Sequence, residues 1–148
     1  MANGRAEFGP RALGNRSILA DPRGHNVKDR VNTVKKREPF RPFAPVILAE
    51  HADEYFELKY NNYDYMQFAV NCRFSKLFPA IIHEDGTSRV QTVNKDSPSI
   101  IRPILEAWYQ ITGCPMLLNT SMNIKGEPLI NTSWDAKMFG LINEVPIF

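Results

Sequence analysis

The sequence is poor in the residues and patterns that mark several common classes of protein. Its 148 residues include only two cysteines and three histidines. Cys72 and Cys114 form no C-x-x-C pair, and the histidines lack metal-ligand spacing, so we expect neither a disulfide framework nor a metal site. The longest apolar runs, such as 44–49, are too short to cross a bilayer. We therefore expect a cytoplasmic protein with reduced thiols and no membrane partner.

What remains is ordinary for a folded domain, except in its charge distribution. Hydrophobic residues make up 43% of the chain and charged residues 23%, which favours one domain, alone or within a longer protein. The net charge is only +2, but residues 1–41 hold ten Lys or Arg against four Asp or Glu, and residues 42–148 hold eight against twelve. Positive charge concentrated in one segment indicates an anionic ligand. Such a basic segment is also compatible with binding to nucleic acid.

The basic segment opens with a glycine-rich loop over residues 4–17. Its glycines and Pro10 exclude a long regular helix or strand. Arg5, Arg11 and Arg16 lie in the same loop, and guanidinium groups together with free backbone N–H groups can hold an anion. A surface loop with merely solvated arginines is the equally weighted alternative.

Hydrophobic periodicity and turn residues predict alternating helices and strands. Strands are predicted at 17–20, 46–48, 66–72 and 116–118, a hairpin over 79–93, and helices at 25–36, 52–56, 98–112 and 133–143. For the predicted helix at 98–112, Ser97 is the expected N-cap, Pro98 fits the first turn, and the apolar stripe is expected to be core. Thr132 is the expected N-cap of the last helix.

Two further segments carry polar residues that could meet a ligand. Residues 37–45 contain three prolines, so Arg37 and Arg41 lie on a stiff backbone and lose little entropy on binding an anion. Residues 119–128 follow a predicted buried strand and are rich in Asn, Ser and Thr. Ligands in open α/β sheets collect beyond strand ends, although local turn hydrogen bonds would explain the same residues.

Four ordered blocks of the chain resemble the C-terminal domain of the O-carbamoyltransferases, which include nodulation-factor and antibiotic carbamoyltransferases. The blocks are residues 4–23, 37–45, 85–91 and 117–128. The resemblance implies an α/β fold of mixed α+β type: a YrdC-like twisted mixed sheet with flanking helices and a basic concave face. It also implies that 1–148 is one domain of a longer enzyme, starting at a truncated point and lacking a Kae1-like, ASKHA-type N-terminal domain.

The resemblance implies an activity as well. Carbamoyl phosphate and ATP, accompanied by Mg²⁺, are expected to form carbamoyl adenylate in this domain. The N-terminal domain, where iron is expected, then moves the carbamoyl group to a hydroxyl. We expect the anion clamp to consist of Arg11, Lys36, Arg41 and Arg89, with Arg5 and Arg37 as further contacts. Ser121, helped by Asn119 and Asn123, is expected to orient carbamoyl or phosphate oxygens.

Glu38 is expected to hold a neighbouring arginine rather than act as a general base. Two other functions stay open. The chain could be a noncatalytic YrdC-like module that binds nucleic acid, although acidic residues dominate after position 42. It could also be an inert half whose pocket needs the missing domain. The acceptor and the oligomeric state do not follow from the sequence.

Overall fold

A computed structural model describes residues 1–9 and 11–148 of the chain. Pro10, which we expected to turn the opening loop, lies outside the described residues. The strands are β1 (Ser17–Ala20), β2 (Ala44–Leu48), β3 (Ala69–Asn71), β4 (Thr87–Arg89), β5 (Gln91–Val93) and β6 (Met116–Ser121). The helices are α1 (Val27–Val34), α2 (Ala52–Tyr55), α3 (Ile101–Thr112) and α4 (Ser133–Asn143).

Four of the strands form one mixed sheet in the order β1-β6-β2-β5. The β1–β6 and β2–β6 pairs are antiparallel, whereas β2 and β5 run parallel. Strands β3 and β4 form a separate antiparallel pair. The expected mixed α/β architecture is therefore confirmed.

The central sheet is covered on both faces, which explains why β2 is apolar and buried along its whole length. On one face, Val46, Leu48 and Leu117 pack against Ile101 and Leu105 of α3. The opposite face belongs to the larger core cluster, to which α1 and α4 also contribute. Members of that cluster include Ile18, Val31, Ile47, Met116, Leu118 and Phe139. The sheet thus holds the ends of β2 and β6 in fixed positions.

The ends of two helices follow their sequence signals. Thr132 accepts a hydrogen bond from the backbone N–H of Asp135, whose carboxylate accepts one from the N–H of Thr132. This reciprocal pair caps the positive end of α4 as expected. Helix α3 ends at Gly113, whose φ of +68° is the left-handed conformation that glycine adopts without strain.

The predicted hairpin over 79–93 is wrong. Residues Pro79–Ile81 form a 3₁₀ helix, and β4 pairs with β3 instead. The chain changes sheet at Val90, because β5 leaves β4 and joins β2. The Asp85-Gly86 turn does form, since Gly86 donates to the carbonyl of His83 and His83 donates to that of Thr87. Tertiary pairing thus overrides a correctly placed local turn.

Helix α3 also differs from its prediction at the N-terminus. It begins at Ile101, and Pro103 rather than Pro98 occupies its first turn. Ser97 caps no helix; its hydroxyl accepts from the N–H of Ser99. The apolar stripe is only partly core, because Ile111 is 81% exposed while Ile101 and Leu105 are fully buried. Only the side of the stripe that meets β2 and β6 is covered.

Candidate functional site: an arginine-lined cavity

The opening glycine-rich loop is folded around its own carboxylate. Oε1 of Glu7 accepts hydrogen bonds from the backbone N–H groups of Leu13, Asn15 and Arg16, at 2.8, 2.6 and 3.2 Å. We expected the free N–H groups of this loop to hold an external anion, but these three are occupied by Glu7. The carboxylate therefore shapes the loop, and these three N–H groups are not available to a ligand.

Gly14 fixes the position of this loop against α3. Its φ is +122°, and a Cβ there would lie 2.8 Å from Cγ1 of Ile101. Any side chain at this position would be strained and would collide with the helix. The loop is consequently seated directly on α3.

Arg16 has a structural place rather than a place in a ligand site. Its side chain is 5% exposed and donates to five backbone carbonyls at 2.7–3.1 Å. The acceptors are Asn3, Gly4, Asn15, Ile130 and Asn131. Arg16 thus joins the N-terminal segment to the segment that precedes α4.

Four other arginines meet at one small cavity of about 190 Å³, here named the arginine cavity. Arg11 comes from the opening loop, Arg37 and Arg41 from the stiff segment before β2, and Arg89 from the end of β4. The remaining described lining residues are Ala12, Pro42, Phe43, Ala44, Met66, Asn119, Thr120 and Ser121. No carboxylate is among them.

The arginines of this cavity influence one another electrostatically. Burial, and then the charges of Arg11 and Arg41, lower the pKa of Arg89. Burial and the charge of Arg41 likewise lower the pKa of Arg37 to about 10, with Glu38 opposing and Arg89 reinforcing the shift. Neighbouring positive charges disfavour the charged form of each group. The cavity is therefore electropositive.

Arg37 is held in place by contacts with Asn32 and Phe43. Its Nε donates to Oδ1 of Asn32 at 2.6 Å, and its guanidinium carbon lies 4.1 Å from the centre of the Phe43 ring. A cation over an aromatic face is attracted by the ring quadrupole. These contacts, with the rigid proline-rich backbone, preorganise Arg37 for a ligand.

Lys35, which we did not predict, donates a hydrogen bond to Ser121 of the cavity wall, and neither it nor the predicted Lys36 is among the described residues that line the cavity. Lys35 is 5% exposed, and its Nζ donates to the carbonyls of Ser121 and Asn123 and to Oδ1 of Asn123. Lys36 is exposed, has a φ of +49° and does not line the cavity. The sequence held a usable signal, because Lys35 follows Val31 by four residues and so continues the buried face of α1.

Lys35 therefore sets the shape of the chain where β6 ends. Its Nζ donates hydrogen bonds to both Ser121 and Asn123, and the Ser121 hydroxyl also donates to Oδ1 of Asn123 at 2.7 Å. Because Ser121 lines the arginine cavity, the hydrogen bond from Lys35 to the Ser121 carbonyl fixes the position of one residue of the cavity wall. Burial, and then the charges of Arg37 and Arg41, lower the pKa of Lys35 to about 8.

This shift predicts how stability varies with pH. In the unfolded chain the pKa of Lys35 is near its ordinary value of 10.5, so between about pH 8 and 10.5 the unfolded state binds more protons. The free energy of unfolding should then rise with pH in that range. Between pH 7.5 and 9.5, the free energy of unfolding of the unmodified chain, measured by urea denaturation, should rise by about 1–2 kcal/mol more than that of Lys35→Met. Lys36→Met is the matched control and should keep the unmodified slope; equal slopes for all three proteins would contradict the prediction.

The remaining predicted site residues are placed as follows. Arg11, Arg37, Arg41, Arg89, Asn119 and Ser121 line the cavity. Asn123 lies next to it, bonded to Lys35 and Ser121, whereas Arg5 is exposed on the loop and lies outside it. Glu38 lies 3.8 Å from Arg41 and also pairs with Lys125, which agrees with a holding role.

Other features of the described residues do not compete with this cavity. A cavity of about 700 Å³ between β1 and α3 is larger, but its lining is mainly apolar. Among the described residues, no group of three or more His, Cys, Asp or Glu side chains could hold a metal ion. No helix in the described part of the chain is long and apolar enough to cross a membrane.

The chain is similar to known proteins over nearly its whole length. The family profile described as "Carbamoyltransferase C-terminus" matches residues 1–146. Nodulation protein NolNO of Sinorhizobium fredii is 51% identical over 138 residues, which are 90% of this chain and 20% of that protein. Nodulation protein NolO of Bradyrhizobium diazoefficiens is 49% identical, over 90% of this chain and 25% of that protein. Nodulation protein U of Azorhizobium caulinodans is 42% identical, over 96% of this chain and 26% of that protein.

Proposed function

The chain belongs to the carbamoyltransferase C-terminal family, and from that premise we propose that its arginine cavity binds carbamoyl phosphate and the phosphates of ATP to form carbamoyl adenylate. The observation that carries the proposal is the convergence of Arg11, Arg37, Arg41 and Arg89 on one cavity with no carboxylate in its described lining. Guanidinium forks match phosphate oxygens in geometry and charge.

The chemistry requires the neutralisation of several negative charges. In a balanced sequence, water splits carbamoyl phosphate into carbamate and phosphate, and a carbamate oxygen then attacks the α-phosphorus of ATP and displaces pyrophosphate. The arginines hold the phosphate oxygens and offset the charge that develops on them. Lys35 fixes the backbone at Ser121, one of the residues that line the cavity. Mg²⁺ would arrive bound to ATP, since the described residues offer no acidic cluster of their own.

The rest of the reaction belongs to a larger protein. The chain spans about a fifth to a quarter of the length of the curated relatives it matches. Transfer to a hydroxyl, the acceptor and any iron site would therefore lie in a Kae1-like N-terminal domain. The names of the relatives make a nodulation factor, or another glycan or natural product, the proposed acceptor class.

The proposal is tested on the chain itself in two steps. Calorimetry with phosphonoacetamide, a stable phosphonate analogue of carbamoyl phosphate, should show saturable binding. Exchange of labelled pyrophosphate into ATP should then depend on added carbamoyl phosphate. Binding without exchange would support an inert half that needs its partner domain, and neither binding nor exchange would refute the proposal. Salt-sensitive binding of an oligonucleotide in place of phosphonoacetamide would favour the nucleic-acid module instead.

A further inference from the structure

One buried amide at the edge of the arginine cavity is only partly satisfied. Asn119 lies on β6, between β1 and β2, and is 1% exposed. Its Nδ2 donates to the backbone carbonyl of Ala12 at 3.0 Å and to Oε1 of Gln91 at 2.8 Å. Its Oδ1 is buried and accepts no hydrogen bond from any described residue. The side chain therefore offers an acceptor and no remaining donor.

The orientation of this amide follows from its partners. The Ala12 carbonyl can only accept, so the atom that faces it must be the nitrogen of Asn119. Rotating the amide by 180° would set its oxygen against that carbonyl and lose this hydrogen bond, whatever the orientation of the Gln91 amide. The free oxygen is thus a property of the fold rather than of an arbitrary assignment.

Asn32 shows what a fully satisfied buried asparagine looks like in the same protein. It is 2% exposed, and its Nδ2 donates to the carbonyls of Pro39 and Arg41, both at 3.1 Å. Its Oδ1 accepts from Nε of Arg37. Leaving a buried acceptor without a donor is costly, so the contrast between Asn32 and Asn119 points to a donor that Asn119 receives from outside the chain.

The character of the free atom restricts that donor. We expected Asn119 to help orient carbamoyl or phosphate oxygens, but both of its N–H groups are already used and Oδ1 would repel an oxygen. It requires a hydrogen-bond donor, an N–H or O–H group, instead. The cavity of about 190 Å³ is small, so the donor belongs to a small molecule or to one end of a larger one.

We infer that Oδ1 of Asn119 accepts a hydrogen bond from the amino group of the carbamoyl moiety and so selects a carbamoyl over an acyl phosphate. The inference rests on the proposed function. The arginines bind the phosphate group, and Asn119 contacts the opposite end of the molecule. Carbamoyl and acetyl phosphates differ only at that end, where the first has NH₂ and the second CH₃. Oδ1 is buried, so the contact requires neighbouring lining side chains to move when the ligand enters the cavity.

A matched pair of probes tests this without any variant. Phosphonoacetamide and 2-oxopropylphosphonate share the phosphonate and the carbonyl and differ in the NH₂ or CH₃ group. The unmodified chain should bind phosphonoacetamide at least about tenfold more tightly in calorimetry, because a site built to bond an N–H rejects the analogue that lacks it. Equal affinity for the two probes would overturn the inference while leaving phosphonate binding, and thus the proposed function, in place. Binding of neither probe would instead overturn the proposed function.

A pair of variants separates recognition from support of the fold. Asn119→Leu removes the acceptor at similar volume and should reduce the affinity ratio of the two probes to about one. Asn32→Leu is the matched control; it disturbs Arg37 and should weaken both probes alike, leaving their ratio unchanged. If Asn119→Leu binds with the ratio of the unmodified chain, the inference is wrong. If that variant does not fold, the ratio measured on the unmodified chain still decides.

Discussion

Arg89→Ala is expected to lower the affinity for phosphonoacetamide by about a hundredfold or more and to abolish pyrophosphate exchange dependent on carbamoyl phosphate. Arg89 is half-buried at the end of β4, where burial and the charges of Arg11 and Arg41 already lower its pKa. A guanidinium held in such a setting is strongly coupled to an anion, because little water screens the two charges. Calorimetry and the exchange assay measure the two effects.

Stability gives this prediction a second readout. Because Arg89 is repelled by its neighbours, its removal should leave the thermal midpoint unchanged or raise it, although ligand binding is lost. Arg73→Ala is the control, since Arg73 is exposed and lies outside the arginine cavity. An affinity for phosphonoacetamide within threefold of the unmodified chain would show that Arg89 does not hold the anion.

Arg16→Ala should cost about 3–5 kcal/mol in the free energy of unfolding, a large fraction of the stability of an ordinary domain. The buried guanidinium donates to five carbonyls, and its loss removes that donor from all of them, although the Asn15 carbonyl still accepts from the N–H of Asn3. The loss also opens a space between two distant chain segments. Urea denaturation measures the change. Arg16→Lys should recover only part of the loss, because an ammonium cannot reproduce the planar fork.

An exposed arginine from the same region supplies the comparison. Arg23 forms a bidentate pair with Asp21 at the surface, and Arg23→Ala should change the free energy of unfolding by less than about 1 kcal/mol. Similar losses for Arg16→Ala and Arg23→Ala would mean that burial and the number of acceptors do not govern the effect.

Local sequence signals predicted the elements that depend on local causes. The strand at 17–20, the Thr132 cap and the Gly113 terminus were placed correctly, because turn chemistry and periodicity act over a few residues. The prediction of the hairpin over 79–93 was wrong because this segment depends on contacts with distant parts of the chain. Its second arm is divided between two sheets, and only contacts with distant strands determine that division.

The site shows the same limit at the level of single side chains. Composition indicated an anionic ligand, and four predicted arginines do meet in one cavity. Arg16 does not line the cavity, because its guanidinium donates to the carbonyls of Ile130 and Asn131, which lie more than a hundred residues away in the sequence. Helical phase could have distinguished Lys35 from Lys36, but no local rule assigns Glu7 to the N–H groups of its own loop.

The seating of Gly14 on Ile101 couples the ligand site to a helix that takes no part in it. The loop bearing Arg11 packs against α3 at that point without room for a side chain at Gly14. Substitutions in α3 that shift Ile101 are therefore expected to change the position of this loop and of Arg11. Selection could adjust the affinity of this domain there without altering a single residue that touches the ligand.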